Sequence, residues 1–206
     1  MSIQINLYGK KKQKAIELGA VWDEKCKALY IPDHINLSKF TNLILHHSGT
    51  VALCPTYIMS SFALCPNCNL NVPVIALVSP TILEVEEDVD KSDDWHKDDS
   101  FSIFSNISYI PNNIAEQIKV DHCFFELIYD ESHEESIWKN VCSYCQTPFC
   151  DEDLHMTPNQ AFFPVDLESS KIYKVSKLET KHSFLIRADK GWYELIQEIF
   201  DNLVDI

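Results

Sequence analysis

The chain has 206 residues, 46% hydrophobic and 11% aromatic, which is enough apolar material to bury a real core. Its net charge is −14, so a nucleic-acid duplex would be repelled, and no apolar run approaches the ~18 residues of a membrane-spanning helix. The charge is uneven: residues 1–50 carry seven Lys against four acids, whereas the remainder carries ten Lys or Arg against 27 acids.

In chain order, Ile3, Ile5 and Leu7 alternate with polar residues and predict a strand. Lys10 to Leu18 reads as a short helix closed by Gly19. Ala20-Val21-Trp22 leads into a turn around Asp23-Glu24-Lys25, and Ala28 to Ile31 forms a second strand stopped by Pro32. A last helical turn is expected near Leu37 to Phe40. Ser61 to Leu64 runs into a first Cys-x-x-Cys pair, Cys65 and Cys68, and Val72 to Val78 leaves it as a buried strand with Pro73 near its start. Residues 84–99 hold nine acids and two Lys and read as a solvated loop. Phe101 to Ile110 is apolar but irregular, and Asn112 to Ile118 predicts a helix capped by Asn112 or Asn113. Cys123 to Tyr129 reads as a strand, and Glu134 to Asn140 leads into a second pair, Cys142 and Cys145. Gly191 to Val204 has Trp192, Leu195, Ile196, Ile199, Phe200 and Leu203 at helical spacing, an amphipathic helix expected to dock on the body.

The expected fold is therefore α+β. A small N-terminal β-α-β domain covers 1–42, and a zinc-ribbon-centred mixed domain with a C-terminal helix covers 43–206. Ile5-Asn6-Leu7, Leu18-Gly19-Ala20, Trp22-Asp23, Lys25, Lys27 and Leu29-Tyr30-Ile31-Pro32 together resemble a small bacterial domain of unknown function seen in plasmid primases and mobile-element proteins. Trp138 to Cys142, the acidic turn Asp151-Glu152-Asp153, Leu154-His155 and Ala161-Phe162-Phe163-Pro164 resemble an uncharacterised bacterial family with paired Cys-x-x-Cys ribbons. That second resemblance covers about 60–165 and implies a strand at Ala161 to Pro164. Neither resemblance implies a reaction.

Four thiols in two close pairs are what a closed tetrahedral zinc site needs, so one structural Zn2+ per chain is expected on Cys65, Cys68, Cys142 and Cys145. The pairs lie 73 residues apart, so the metal would close a long loop. The Cys-x-x-Cys spacing favours Cys145 over Cys150 as ligand. Cys26, Cys54 and Cys123 are expected to be buried or half-buried thiols. His155, with Asp151 nearby, is a candidate to hydrogen-bond the sulfurs from outside the first ligand sphere, a plain structural hydrogen bond being the expected role. Met1 to Asn6 lacks a basic stretch leading into an apolar one, so no signal peptide is expected. Eight cysteines then point to reduced thiols in a bacterial cytoplasm.

Four Gly are too few for a phosphate-cradling loop, and no nucleophile motif is present. The composition points to a non-enzymatic protein that binds a basic partner, in its sharpest form an immunity protein (antitoxin) neutralising a bacterial toxin or effector. Glu86, Glu87, Asp88, Asp93, Asp94, Glu152 and Asp153 are the expected contacts. An alternative is a nucleic-acid-associated accessory protein of a mobile element, using Lys10, Lys11, Lys12 and Lys14. A further alternative is a zinc-dependent hydrolase acting through His155.

Overall fold

The computed structural model describes residues 2–44, 50–85, 95–167 and 172–204. The N-terminal part runs β1 (Ile3–Ile5), α1 (Gly9–Glu17), β2 (Val21–Asp23), β3 (Ala28–Ile31), a 3-10 turn (Leu37–Phe40) and α2 (Thr41–Ile44). Helix α1 stops where the sequence predicts. The Gly19 amide donates to Ile16 O and the Ala20 amide to Ala15 O, both at 3.0 Å. That pair of bonds places residue 19 at φ +107, a conformation glycine adopts without strain. The turn expected at Asp23 begins one residue later, because Val21 to Asp23 pair antiparallel with Ala28 to Tyr30.

The rest of the chain is mostly sheet: β4 (Thr50–Ala52), β5 (Tyr57–Leu64), β6 (Asn71–Ser79), β7 (Ile82–Val85), β8 (Trp95–Asp98), β9 (Ser102–Tyr109), α3 (Asn112–Asp121), β10 (Phe125–Asp130), β11 (Glu135–Asn140), α4 (Asp151–Met156), β12 (Lys174–Lys177), β13 (Ser183–Gly191) and α5 (Glu194–Val204). The fold is α+β, as expected. Its main strand order is β12-β5-β6-β9-β13-β1-β3-β2. Two branches leave this path, β4-β7-β8 from β13 and β11-β10 from β9.

Strand β13 is the junction. Its first half pairs parallel with β1 and antiparallel with β4. The register shifts between Arg187 and Asp189, and the second half then pairs with β9. A bulge of this kind turns a strand from one sheet plane into another. The N-terminal unit thus shares its sheet with the body. Its core, built on Ile5, Leu29, Ile31, Phe40 and Ile44, also takes in Val51 and Leu185.

Strand β6 feeds two further cores from its two faces. Val72, Val74, Ala76 and Val78 enter one, and Ile75 and Leu77 enter the other. A strand buried on both sides needs a continuous apolar run, which is the pattern in its sequence. Helix α5 docks on the first of these cores through Ile196, Ile199 and Phe200, each buried chain stabilising by about 2 kcal/mol. Phe200 meets the Tyr57 ring edge-on at 5.2 Å. Trp192 stays outside the helix, 53% exposed.

Four expectations fail for identifiable reasons. Residues 84 and 85 and 95 to 98 are not loop but the ends of a hairpin, with Val85 opposite Trp95 and Ile82 opposite Asp98. Trp95 packs against the N-terminal core and donates its indole N–H to Thr41 Oγ1 at 3.2 Å, an anchor that the charge count conceals. Phe101 to Ile110 contains the regular strand β9, whose alternation is masked because most of it is buried on both faces and Asn106 sits at φ +47. Helix α3 is not capped by Asn112 or Asn113. Pro111 precedes it, and its carbonyl accepts from the Ile114 and Ala115 amides at 2.9 Å. Ala161 to Pro164 is no strand but a turn, held by the Phe162 amide on Leu154 O at 2.9 Å and a single bridge between Gln160 and Phe163. Among the described residues no helix is long and apolar enough to cross a membrane.

Candidate metal centre

Both Cys-x-x-Cys segments fold into the same knuckle. In the first, the Cys65 amide donates to Leu70 O at 2.9 Å and the Asn69 amide to Cys65 O at 3.0 Å. In the second, the Cys142 amide donates to Thr147 O and the Gln146 amide to Cys142 O, both at 2.9 Å. The residue after each second cysteine carries a positive φ, +57 at Asn69 and +60 at Gln146. The left-handed residue folds the chain back so that both sulfurs of a pair project from one side of the turn.

The first knuckle is the turn between β5 and β6, and the second follows the end of β11. Cys65 and Cys142 are fully buried, Cys68 and Cys145 half-buried. The Sγ atoms of Cys65 and Cys145 lie 3.5 Å apart and those of Cys68 and Cys142 3.7 Å. All four lie within 4.8 Å of one another. A disulfide would need about 2.05 Å, whereas sulfurs at the corners of a tetrahedron around zinc, with Zn–S near 2.3 Å, stand about 3.8 Å apart. The sulfurs therefore fit a metal such as zinc. Thr147 Oγ1 lies 3.2 Å from Cys145 Sγ. Hydrogen bonding from Thr147 brings the Cys145 pKa down to about 5, while at Cys68 the Leu70 amide is outweighed by burial and the neighbouring thiols, which push it up to about 12. Cys150 takes no part: it is exposed and precedes α4.

One side chain not expected from sequence joins the two knuckles. Asn140 is 1% exposed at the end of β11. Its Oδ1 accepts the Ile75 amide at 2.8 Å and its Nδ2 donates to Ile75 O at 2.9 Å. A side-chain amide thus imitates a strand pair across to β6 and sets the second knuckle against the first.

His155 and Asp151, the candidates for contact with the sulfurs, do not hydrogen-bond them among the described residues. Both lie on α4, where four-residue spacing turns them to the buried side of the helix. The His155 ring is 4.9 Å from that of Phe162, and its Nδ1 has no hydrogen-bond partner. Burial pushes its pKa down to about 3, so the ring is neutral. Asp151 Oδ2 accepts the Asn106 amide at 2.6 Å, which spends the carboxylate on shaping β9 rather than on the metal.

Burial pushes the Asp151 pKa up to about 6. Between pH ~4 and ~6 the folded protein keeps a proton that the unfolded chain has released, so this group's contribution to stability falls as pH rises through that window. His155 acts with the opposite sign, its contribution being lost as pH falls below 6.5. Asp151→Asn should retain the acceptor for Asn106 and raise stability at pH 7 by up to about 3 kcal/mol, with the gain vanishing near pH 4. Thermal melts of both proteins across that range are the check, and equal melting temperatures at pH 7 would refute the burial argument.

Of the expected partner contacts, Glu152 and Asp153 stand exposed in the first turn of α4. Glu86, Glu87, Asp88, Asp93 and Asp94 lie outside the described residues. Cys26 and Cys123 are exposed rather than buried, and Cys54 is half-buried as expected. A polar residue immediately after each Cys-x-x-Cys was the available sign of the left-handed turns. Nothing local marked Asn140. Compared with family models, curated proteins and solved structures, the chain returns no match.

Proposed function

We propose that the chain is a non-enzymatic protein-binding module, stapled by one structural zinc ion on Cys65, Cys68, Cys142 and Cys145, which covers a basic surface on a partner protein. In its most concrete form it is a cytoplasmic immunity protein that neutralises a toxin or effector. The observation that carries this reading is the surface at the knuckle end. A cleft of about 280 Å³ is lined there by Leu64, Pro66, Phe149 and Asp153. Its apolar walls suit the methylenes of a Lys or Arg side chain, and the Asp153 carboxylate suits the charged head. Leu64, 61% exposed, and Tyr144, 70% exposed, offer apolar anchors on the two knuckles, and Glu152 stands next to Asp153.

The overall −14 charge favours fast encounter with a cationic partner. Four sulfurs complete a tetrahedral shell, so the metal's role is to hold the knuckles rigid before binding, which lowers the ordering cost on association. Co-expression with the product of the immediately upstream gene tests the reading. The chain should relieve that protein's toxicity. Glu152→Gln with Asp153→Asn should slow association roughly five-fold at low salt and much less at high salt, with zinc content unchanged. Absence of rescue, or an association rate indifferent to both salt and these substitutions, would remove the reading.

A further inference from the structure

A second cleft, of about 450 Å³, opens on the N-terminal unit where α1, the β2–β3 turn and the start of α3 come together. Sites for small molecules typically have this volume. Three lysines line it, Lys12, Lys25 and Lys27, against the single acid Glu116, a local excess of positive charge on a chain whose net charge is −14. The turn that presents two of these lysines is fixed. Asp23 Oδ1 accepts the Lys25 amide at 2.7 Å and the Cys26 amide at 3.3 Å, and Lys27 sits at φ +49. The Asp23 carboxylate is not among the residues lining the cleft, although its charge acts on Lys25.

The helices add to this field. Neither α1 nor α3 has a side-chain cap or an acid in its first turn, and residues of both N-terminal ends, Tyr8 and Asn112 with Asn113, face the cleft. Positive helix ends beside three ammonium groups raise the energy of the empty protein, and an anion in the cleft relieves it. Aromatic and amide groups accompany the charge. Lys12 Nζ stands 3.1 Å above the centre of the Trp22 ring, which fixes the ammonium and covers that ring face. Tyr8, 74% exposed, remains as an open stacking platform at the rim. Gln4 and Asn113 pair reciprocally through their amides at 2.6 and 3.3 Å; Gln4 is buried, and the exposed Asn113 keeps one further N–H and lone pair toward the cleft.

The geometry points to a binding site for a nucleotide 5′-phosphate, with the phosphate among Lys25, Lys27 and the helix ends and the base against Tyr8. This surface is separate from the knuckle-end cleft, and its occupancy does not depend on the protein-binding reading. The same chemistry is offered by a free nucleotide and by the phosphorylated terminus of a single strand.

The test is calorimetric titration of the zinc-loaded protein at low salt with adenosine 5′-monophosphate, inorganic phosphate, and a short oligothymidylate with and without a 5′-phosphate. One saturable site is expected, with inorganic phosphate binding about tenfold more weakly than the nucleotide. Lys25→Gln should weaken nucleotide binding about tenfold, and Glu116→Gln should strengthen it about threefold, a gain that misfolding cannot mimic. Tyr8→Ala should weaken the nucleotide and leave inorganic phosphate unchanged. Cys26 lines the cleft and is exposed, so its alkylation should slow when the site fills. Tighter binding of the phosphorylated oligothymidylate than of the mononucleotide assigns the site to strand termini, and the reverse order assigns it to free nucleotides. No saturable binding, equal binding of inorganic phosphate and nucleotide, or binding indifferent to Lys25→Gln would each overturn the assignment.

Discussion

Removing the metal with a strong chelator should abolish cooperative thermal unfolding of this protein, and Cys65→Ser or Cys142→Ser should give insoluble or loosened chains. The size of the effect follows from where the ligands lie. Cys65 and Cys145 are 80 residues apart in sequence, and closing so long a loop in the unfolded chain costs on the order of 4 kcal/mol of entropy. Structural zinc bound at four thiolates supplies roughly 10–16 kcal/mol, comparable with the whole ~5–15 kcal/mol by which domains of this kind are stable. Without metal, two buried thiols and two half-buried ones face one another with only the knuckle turns and Asn140 to order them, and the core containing Val72, Val74, Phe149 and Leu154 is weakened at its edge. Cys26→Ser is the control, because Cys26 is exposed and remote from the cluster. Metal content should be about one zinc per chain, falling steeply in the Cys65 and Cys142 variants. Full zinc and a wild-type melting temperature after serine substitution at each of Cys65, Cys68, Cys142 and Cys145 would end the case for a metal centre.

Asn140→Ala should be the most damaging substitution outside the cysteines, costing about 2–5 kcal/mol. The amide makes two buried hydrogen bonds to Ile75, one to its N–H and one to its C=O. Truncation leaves a buried donor and a buried acceptor without partners in the middle of β6, each at roughly 1–3 kcal/mol. Asn140→Asp should be no better, since it removes the donor and places a charge where exposure is 1%. The change should also weaken metal binding, because Asn140 fixes the strand from which Cys142 follows. Urea unfolding with an unchanged m-value, together with a zinc competition titration, measures both effects. A loss under about 1 kcal/mol would mean that water replaces the amide at Ile75.

The sequence revealed the parts of this protein that depend on neighbours in the chain. The Gly19 helix stop, the strand at Ala28 to Ile31, the helical turn at Leu37 to Phe40 and the cluster of four cysteines all follow from spacing and local conformational preference. What escaped depends on distant partners. Ser183 to Gly191 contains only a short apolar run, Phe184 to Ile186, before Arg187, Asp189 and Lys190 interrupt it. It is nevertheless the junction strand, because β1, β4 and β9 all pair with it. Asn140 resembles any polar residue before a knuckle until Ile75 is opposite it. His155 lies close in sequence to the clustered cysteines but points elsewhere, since one helical turn carries it toward Phe162. The cleft at Lys25 and Lys27 needed α3, some ninety positions on, to supply its far wall.

The placement of β13 also constrains the order of events as the chain folds. Ser183 pairs with Ile3, a separation of 180 positions, and Ser2 Oγ meets His182 Nδ1 at 2.5 Å. Until the ribosome has released the segment through residue 191, β1, β4 and β9 each wait with an edge unsatisfied by its eventual neighbour. Exposed strand edges are templates for pairing with other chains, and contacts between such distant segments slow the final collapse. The shared sheet can therefore close only after β13 has emerged, so its assembly is governed by the position of one strand rather than by the strength of its core.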